Sequence, residues 1–310
     1  MKKLISVVIP IYNEQDVLDE LAKRLISVID SIAAYDFEVV MVENGSKDLS
    51  FKMLIDLNRK DPRFKVLRLS RNFGCDGGIS AGLQYIKGDA AVIMNADLQD
   101  PPEMIPDFIK YWEEGYEIVY GQIRKREGVT FFRRLFSSIF YEIINRLTGG
   151  LFPKNASDFR LIDKKVYRSI NQFNETNRFL RGMIAWTGFS QVGIPFIRPP
   201  RFAGKPKASL GTVWRVALNG IYAFSYFPLK VVTLLGMTLS LFSFLAIIVY
   251  VTLFFVYGRI VPGFTTLLTI ILFLFGMLFL ILGIIGEYLS RIYDEVKKRP
   301  NYIVKETISL

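Results

Sequence analysis

Apolar and polar residues alternate in blocks along the first part of the chain, and each block predicts one element of structure. Short apolar runs rich in β-branched residues predict five strands, at residues 5–11, 37–42, 64–69, 90–94 and 118–121. Between the first two runs, apolar residues recur at helical spacing from Val17 to Ile32, which predicts an amphipathic helix with Asn13 as its cap. Strands that alternate with helices are typical of a mostly parallel α/β sheet.

Polar residues follow the predicted strands, most densely after the fourth. That strand ends in Asn95, Asp97, Gln99 and Asp100, and then in two prolines that cannot continue a strand but can begin a helix. Ligands bind at the carboxyl ends of parallel strands. Carboxylate and amide oxygens suit Mg²⁺ or Mn²⁺, which could stabilise a departing diphosphate. The alternative is a polar turn in which an aspartate caps the next helix.

The middle of the chain departs from this rhythm. Residues 131–148 predict a helix with a broad aromatic band, which either faces the core or lies on a membrane with Arg133, Arg134 and Arg146 near the headgroups. Residues 156–166 predict a strand followed by a helix. Residues 194–210 are basic and rich in proline, which predicts an irregular linker, and residues 209–229 predict a second amphipathic interface helix.

Two late segments, residues 231–257 and 264–286, contain no charged residue and are each long enough to span a bilayer. The short link between them holds one arginine, whereas Lys230 and a basic group at residues 291–299 flank the pair. The positive-inside rule then places both termini in the cytoplasm. We therefore predict a cytosolic domain at residues 1–208, a transmembrane hairpin within residues 230–290 and a cytosolic tail at residues 291–310.

The composition restricts the classes of chemistry and of partner that fit this chain. The chain of 310 residues has a formal net charge of +10, no histidine and one cysteine. The charge predicts an anionic partner, either a phosphorylated substrate or anionic lipid, and no nucleic-acid-binding motif is present. The lack of histidine excludes histidine acid–base chemistry and makes a protein zinc site improbable. The single cysteine fits a reducing compartment, and the charged start of the chain runs directly into a strand, so no signal peptide is expected.

Four motifs carry a resemblance to a known family. These are SVVIPIYNE at residues 6–14, RNFG at residues 71–74, ADLQDPPE at residues 96–103 and FRLID at residues 159–163. They resemble glycosyltransferase family 2, and more narrowly its polyprenyl-phosphate branch, which includes bactoprenol glucosyltransferases and dolichol-phosphate mannose synthases. The resemblance implies a GT-A fold, a divalent metal (Mg²⁺ or Mn²⁺), a UDP-sugar donor and a polyprenyl phosphate acceptor. It also implies an integral protein of a bacterial-type inner or plasma membrane.

The resemblance also assigns residues. The nucleotide site would be lined by seven residues, Pro10, Tyr12, Glu14, Glu43, Ser46, Asn72 and Arg124. Asp97 would bind the metal, with Asn95 and Gln99 beside it. The chain departs from the family pattern in two places. It has Glu43-Asn44 where relatives usually have two aspartates, and it has Asn95 where relatives usually have another aspartate. An amide at position 95 coordinates a cation more weakly than a carboxylate does.

The predicted chemistry is an inverting transfer of a hexose, with glucose from UDP-glucose as the first choice and GDP-mannose as the alternative donor. The nucleophile is a phosphate oxygen whose second pKa is about 6, so a strong base is less necessary than for a hydroxyl acceptor. Asp158 would orient the reacting groups or act as a base, unless it is only a strand-end carboxylate paired with Arg160. Arg201, Lys205 and Lys207, with Arg160, would hold the lipid phosphate.

Two other functions are alternatives to this one. A processive polysaccharide synthase shares the fold but normally carries a Gln-x-x-Arg-Trp motif and more membrane helices. A non-catalytic membrane scaffold that binds a nucleotide sugar is favoured only by Asn95. Glycines in the apolar segments could let these helices pack between subunits, so a homo-oligomer is also an alternative.

Overall fold

The computed structural model describes residues 2–126, 145, 150, 153, 155–203, 220, 222, 224–257 and 263–310. These residues form two units, one containing residues 1–220 and 298–310 and the other containing residues 221–297. The first unit is an α/β domain built on one sheet of eight strands. The second contains two long apolar helices.

The sheet contains all six strands that the sequence predicts, including the one at the start of residues 156–166, and two more. Its strands are β1 (Leu4–Ile11), β2 (Asp36–Glu43), β3 (Phe64–Leu69), β4 (Ala90–Ile93), β5 (Ile118–Arg126), β6 (Ala156–Asp163), β7 (Gln191–Arg198) and β8 (Val304–Ile308). Their order across the sheet is β7-β5-β6-β4-β1-β2-β3-β8. The predicted GT-A fold, with a mostly parallel mixed sheet, is confirmed.

Strand direction decides which residues meet. Strands β3, β2, β1 and β4 are mutually parallel, so their carboxyl ends lie along one edge of the sheet. Strand β6 runs antiparallel to β4, with Ile93 opposite Arg160, so its amino end lies at that same edge. Strand β5 runs antiparallel to β6 and parallel to β7. The carboxyl ends of β5 and β7 therefore reach this edge as well.

Helices cover both faces of the sheet because the strands alternate their buried side chains between the two faces. The helices are α1 (Leu18–Ser31), α2 (Ser50–Lys60), α3 (Gly74–Tyr85), α4 (Ile105–Glu113), α5 (Lys164–Asn171) and α6 (Leu180–Trp186). Ile5, Val7 and Ile9 belong to a core shared with α1 and α4. On the other face α3 approaches very closely, since a Cβ on Gly82 would overlap Val8 Cγ1.

The structure differs from the sequence prediction in three places. Helix α1 begins at Leu18 with Val17 at its cap position, and no side chain caps it, so the predicted Asn13 cap is wrong. Asn13 instead adopts a positive φ of 50° and accepts a hydrogen bond from Lys47 N at 2.8 Å. Residues 191–198, most of which were predicted to be linker, form a strand in parallel pairing with β5, which satisfies their backbone groups. Residues 304–308, predicted to be a tail, pair with β3.

The second unit contains α7 (Phe227–Tyr257) and α8 (Phe264–Lys297). Segments of both helices are long and apolar enough to cross a membrane, with mean hydropathies of 2.3 and 2.8. Both leave most of their large apolar side chains exposed, as in a membrane-spanning helix and unlike the core helix of a water-soluble domain. The predicted interfacial helix at residues 131–148, apart from residue 145, and most of the one at residues 209–229 lie outside the described residues.

Candidate active site

The candidate site is the edge at which the carboxyl ends of β1 to β4 meet the amino end of β6. Asp97 lies just after β4 and is 6% exposed. Its carboxylate accepts hydrogen bonds from Gln99 N at 3.2 Å and from Arg201 Nη2 at 3.0 Å. Leu98, between Asp97 and Gln99, has a positive φ of 59°, a conformation that non-glycine residues rarely adopt. The turn after β4 therefore has an unusual backbone shape at the residue that follows Asp97.

Arg201 joins two of the predicted site residues. Besides its bond to Asp97, its Nη1 lies 3.7 Å from Glu14 Oε1. Arg201 comes three residues after the carboxyl end of β7, and this strand is what brings it to the edge. Arg201 is predicted from the sequence to hold the lipid phosphate, whereas in the structure it lies directly against Asp97 and Glu14, the predicted metal and donor residues. From this position the guanidinium of Arg201 can contact either the diphosphate of a donor or the phosphate of an acceptor.

Asn95 and Asp100 form a second, more buried contact. Asp100 is fully buried, and its carboxylate accepts hydrogen bonds from Asn95 N at 3.1 Å and Asn95 Nδ2 at 2.9 Å. Arg198 Nη2 lies 3.5 Å from the other carboxylate oxygen. Burial raises the pKa of Asp100 to about 6, although Arg198 opposes the shift. The amide of Asn95 thus donates to a neighbouring acid, a bond that an unprotonated aspartate at this position could not make.

Asp158 lies at the amino end of β6, and its main partner is a residue that the sequence analysis did not assign. Arg181, on α6, donates from Nε at 2.9 Å and lies at 2.8 Å through Nη2, whereas Arg160 is 3.9 Å away. Partial burial works to raise the pKa of Asp158, but Arg181 and then Arg160 hold it below the usual value. With 45% of its side chain exposed, Asp158 is an accessible carboxylate at neutral pH.

Arg160 is not at the surface where the sequence analysis placed a lipid-phosphate ligand. It is 4% exposed, and its guanidinium donates to Ser157 O at 2.7 Å and Asp158 O at 3.3 Å. Burial lowers its pKa to about 10. Both faces of β6 are covered at residues 159–162, so the guanidinium of Arg160 lies inside the domain next to Asp158.

The opposite end of the edge carries the predicted nucleotide residues. Glu43 is fully buried, and its carboxylate accepts hydrogen bonds from Ser46 N and from Arg68 Nε, the latter at 3.1 Å. Ser46 Oγ in turn accepts a hydrogen bond from Asn13 N at 3.0 Å, which ties the end of β2 to the end of β1. The structure thus brings Glu43 and Ser46 together, as the sequence analysis expected.

The remaining predicted residues have varied positions. Pro10 is packed near the start of α3, since a Cβ on Gly78 would lie 3.2 Å from its Cβ. Asn72 Oδ1 accepts a hydrogen bond from Gly74 N at 2.7 Å, and Tyr12 is half-buried directly after β1. Arg124 is exposed on β5. Lys205 and Lys207 lie outside the described residues, so their assignment stays a prediction.

Asp76, in the first turn of α3, is a site residue that the sequence analysis missed. Burial raises its pKa to about 7, and the nearby Asp158 adds to this, against the effect of Arg181. Nothing in the sequence around a glycine-rich helix start marks it as special. Asp76 lies far from Asp158 and Arg181 in the chain, and only the tertiary structure brings it close enough to interact with them.

We expect Asp76→Asn to stabilise the folded protein, and to do so more at pH 8 than at pH 5. The folded pKa of Asp76 lies above the unfolded value of about 3.9, so the folded state binds this proton more tightly. The free energy of unfolding of the wild type therefore falls as pH rises toward 7, because Asp76 must give up its proton. The amide in Asp76→Asn does not titrate, so the variant does not lose this stability. Tm measured at the two pH values tests this, with exposed Asp107→Asn as the control. An equal Tm difference at both pH values would contradict it.

The donor atoms at this edge suit a hard divalent cation. Asp97 supplies a carboxylate, and Asn95 and Gln99 supply amide oxygens, which are the oxygen ligands that Mg²⁺ and Mn²⁺ prefer. Among the described residues no three His, Cys, Asp or Glu side chains come together as a metal cluster. The three predicted ligands, Asn95, Asp97 and Gln99, carry one carboxylate between them, and a cation here would take further oxygens from the substrate.

Open α/β domains bind ligands at the carboxyl edge of their parallel strands, and in this protein that edge carries carboxylates and arginines. The model of the glycosyl transferase family 2 domain matches residues 6–170, and the chain belongs to this family. It is 43% identical over 302 residues to an uncharacterized glycosyltransferase of Synechocystis, covering 97% of this chain and 95% of that one. The resemblance that the motifs suggested is therefore confirmed.

Two further comparisons concern the branch of the family and the fold of the domain. The chain is 35% identical to a prophage-derived bactoprenol glucosyl transferase of Shigella flexneri, covering 98% of each protein. Among solved structures, mannosyl-3-phosphoglycerate synthase from Rubrobacter xylanophilus superposes with a TM-score of 0.50 at 14% identity, covering 71% of this chain and 72% of that one. The structural likeness supports the fold alone.

Proposed function

We propose that this protein is a membrane-anchored, inverting glycosyltransferase that moves glucose from UDP-glucose to a polyprenyl phosphate. The observation that carries the proposal is the convergence of Asp97, Arg201 and Asp158 on one strand edge in a family 2 domain. The acceptor class is supported by the bactoprenol glucosyl transferase, which matches this chain over 98% of its length, and by the two apolar helices.

The donor would lie along the edge with its nucleotide end at β2 and its diphosphate at β4. Ser46 would contact the base or ribose, and Glu43, whose side chain is fully buried, would lie behind Ser46 and hold it through its backbone N–H. Arg201 is placed to hold diphosphate oxygens, which are the anions that a guanidinium binds best. If a divalent cation binds, Asp97, Asn95 and Gln99 would hold it, and its chemistry is to neutralise charge on the departing diphosphate.

The reaction would be a single displacement at the anomeric carbon. The bond from that carbon to the diphosphate breaks as a bond to an acceptor phosphate oxygen forms, which inverts the configuration. Asp158 is a carboxylate at neutral pH and is fixed by Arg181, so it can orient the acceptor or take its last proton. The acceptor is already largely deprotonated, so the main tasks of the site are positioning and charge stabilisation.

The membrane would determine where the polyprenyl phosphate acceptor lies relative to the site. We propose that α7 and α8 cross the bilayer as a hairpin with both termini in the cytoplasm, since basic residues flank the pair. The chain before α7 and after α8 belongs to the same α/β unit, as two crossings require. The polyprenyl phosphate would then be reached at headgroup height, with Lys205 and Lys207 as further candidate ligands. Homo-oligomer formation stays a prediction.

The test is a transfer assay with the purified full-length protein in detergent or lipid nanodiscs. Radiolabelled UDP-glucose and undecaprenyl phosphate are incubated with Mg²⁺, Mn²⁺ or chelator, and label that passes into organic solvent measures product. Parallel reactions use GDP-mannose as donor. Lipid-linked label from UDP-glucose alone supports the proposal, and label from GDP-mannose alone would change the donor. Donor binding without any transfer would favour the scaffold alternative.

We expect Asn95→Asp to strengthen Mn²⁺ binding by about tenfold or more, because it adds a second carboxylate to a site with one. In the absence of metal the variant should have a lower Tm, because the new carboxylate would face the buried Asp100 in place of an amide that donates to it. Mn²⁺ titration followed by electron paramagnetic resonance measures the affinity. Gln84→Glu, which adds the same charge at an exposed position of α3, is the control. Equal Mn²⁺ affinity in both variants would remove position 95 from the metal site.

A further inference from the structure

The buried carboxylate of Glu43 is held by a side chain that has a second partner far along the chain. Arg68, on β3, donates from Nε to Glu43 at 3.1 Å and from Nη1 to Glu306 at 2.8 Å. Its guanidinium also lies over the ring of Phe51, 3.7 Å from the ring centre. Arg68 therefore has one face on an aromatic ring and its two ends on carboxylates, which leaves its guanidinium little freedom.

Glu306 reaches Arg68 because the end of the chain joins the sheet. Strand β8 runs antiparallel to β3, with Glu306 directly opposite Arg68. The backbone pairing continues at Ser70 N, which donates to Ile303 O at 2.9 Å. At the other end of the strand, Ser309 Oγ and the side chain of Asn58 hydrogen-bond at 3.1 Å. Strand β8 is therefore anchored along its length, and Glu306 is presented in a defined place.

The segment that leads into β8 also lies against elements of the site. Asn301 Nδ2 donates to Glu175 O at 2.9 Å, and Asn301 O would lie 3.3 Å from a Cβ on Gly77. Gly77 follows Asp76 in the first turn of α3, and residues 298–303 connect α8 to β8. The chain that leaves the second apolar helix thus packs beside α3 and completes the sheet at the nucleotide end of the site.

We propose that β8 is a positioning element of the donor site, in which Glu306 orients Arg68 and Arg68 holds Glu43 in place for the nucleotide. The proposal rests on the proposed function, because Glu43 matters here only if a nucleotide binds beside it. Glu306 itself is 43% exposed and would touch no substrate. Its effect is on donor binding and not on the chemical step.

The chemical reason is the cost of a misplaced buried acid. Glu43 is fully buried, and a buried carboxylate needs donors for its oxygens. Arg68 supplies one of these bonds, and its guanidinium is free to change its angle to Glu43 when Glu306 no longer holds its other end. Glu43 would then shift with the guanidinium while the two stay paired, and its position for the nucleotide would be lost. This predicts that removing the charge at position 306 acts through position 68.

The experiment is a double-mutant cycle on the full-length protein in detergent. Kd for UDP is measured by calorimetry for the wild type, Glu306→Gln, Arg68→Gln and the double variant, with Lys305→Gln on the same strand as control. We expect Glu306→Gln to raise Kd about three- to tenfold in the wild-type background and to have no effect in the Arg68→Gln background. Lys305→Gln should bind UDP as the wild type does.

Kinetics and stability separate this from a purely structural role. Glu306→Gln should raise the donor KM by the same factor and leave kcat and the Tm nearly unchanged, and Glu306→Asp should recover part of the affinity. An unchanged Kd for UDP in Glu306→Gln overturns the inference while the proposed function stands. The same rise in Kd in both backgrounds also overturns it. A wild-type protein that binds no UDP would overturn both.

Discussion

Asp97→Asn is expected to lower kcat for lipid glucosylation about 100-fold or more and to leave the protein folded. The substitution keeps the size of the side chain and its hydrogen bond from Gln99 N, but it removes the charge that faces Arg201 at 3.0 Å. Loss of one preorganised group at a developing charge typically costs about 100- to 1,000-fold in rate. The measurement is the initial rate with UDP-glucose and undecaprenyl phosphate at saturating donor and Mn²⁺.

The control for Asp97 is Asp107→Asn, which removes the same charge from an exposed position on α4. Its kcat should equal that of the wild type. Mn²⁺ binding should weaken in Asp97→Asn, since the only carboxylate of the proposed metal site is lost. A variant that keeps full activity would remove Asp97 from the site, and one that fails to fold would show as an altered elution volume and Tm.

Asp158→Asn is expected to lower kcat about 100-fold. This is the lower end of the range of rate losses that follow removal of an acid–base or orienting group. The variant loses a carboxylate held by two hydrogen-bonding atoms of Arg181, while UDP binding should be unchanged because Glu43 lies at the other end of the edge. The pH profile distinguishes the two roles. An orienting residue lowers the rate equally from pH 6 to pH 9, whereas a base makes the residual rate rise with pH.

A different pattern would assign Asp158 to structure. The sequence analysis left open that it is only a strand-end carboxylate in an ion pair, and the structure shows that pair, chiefly with Arg181. If Asp158→Asn lowers Tm with little change in kcat, the pair is structural. Arg181→Lys serves as a matched variant, because it keeps the charge but cannot keep both contacts of the guanidinium. It should lie between the wild type and Asp158→Asn in activity.

The residues of the site differ in how far local sequence could predict them. A short apolar run and two prolines flank the group Asn95, Asp97 and Gln99. Both the location and the chemistry of these residues can therefore be predicted from their neighbours in the chain. Glu43 and Ser46 follow another strand in the same way. Arg181 and Arg198 carry no such signal. Arg181 lies in a short helix, and Arg198 ends a strand whose sequence, with two glycines or prolines in eight residues, was predicted to be mostly linker.

Contacts across the chain explain the rest. The Arg201–Asp97 bond joins residues 104 positions apart, and the Arg68–Glu306 bond joins residues 238 positions apart. Hydrophobic periodicity shows which face of an element is buried, but not which strand lies beside it or in which direction it runs. This is why the sequence analysis expected Arg160 at the surface and Arg201 at the lipid, whereas strand pairing placed the first inside and the second at Asp97.

The sequence by itself determined the alternating strands and helices, the two apolar helices and the oxygen-rich ends of β2 and β4, because each depends on residues close together in the chain. The tertiary structure decided which charges meet. An antiparallel β6 carries Asp158 to the edge where parallel strands end, β7 delivers Arg198 and Arg201 to it, and β8 returns from α8 to hold Arg68. These contacts depend on strand order and direction, which are set by the packing of the whole domain.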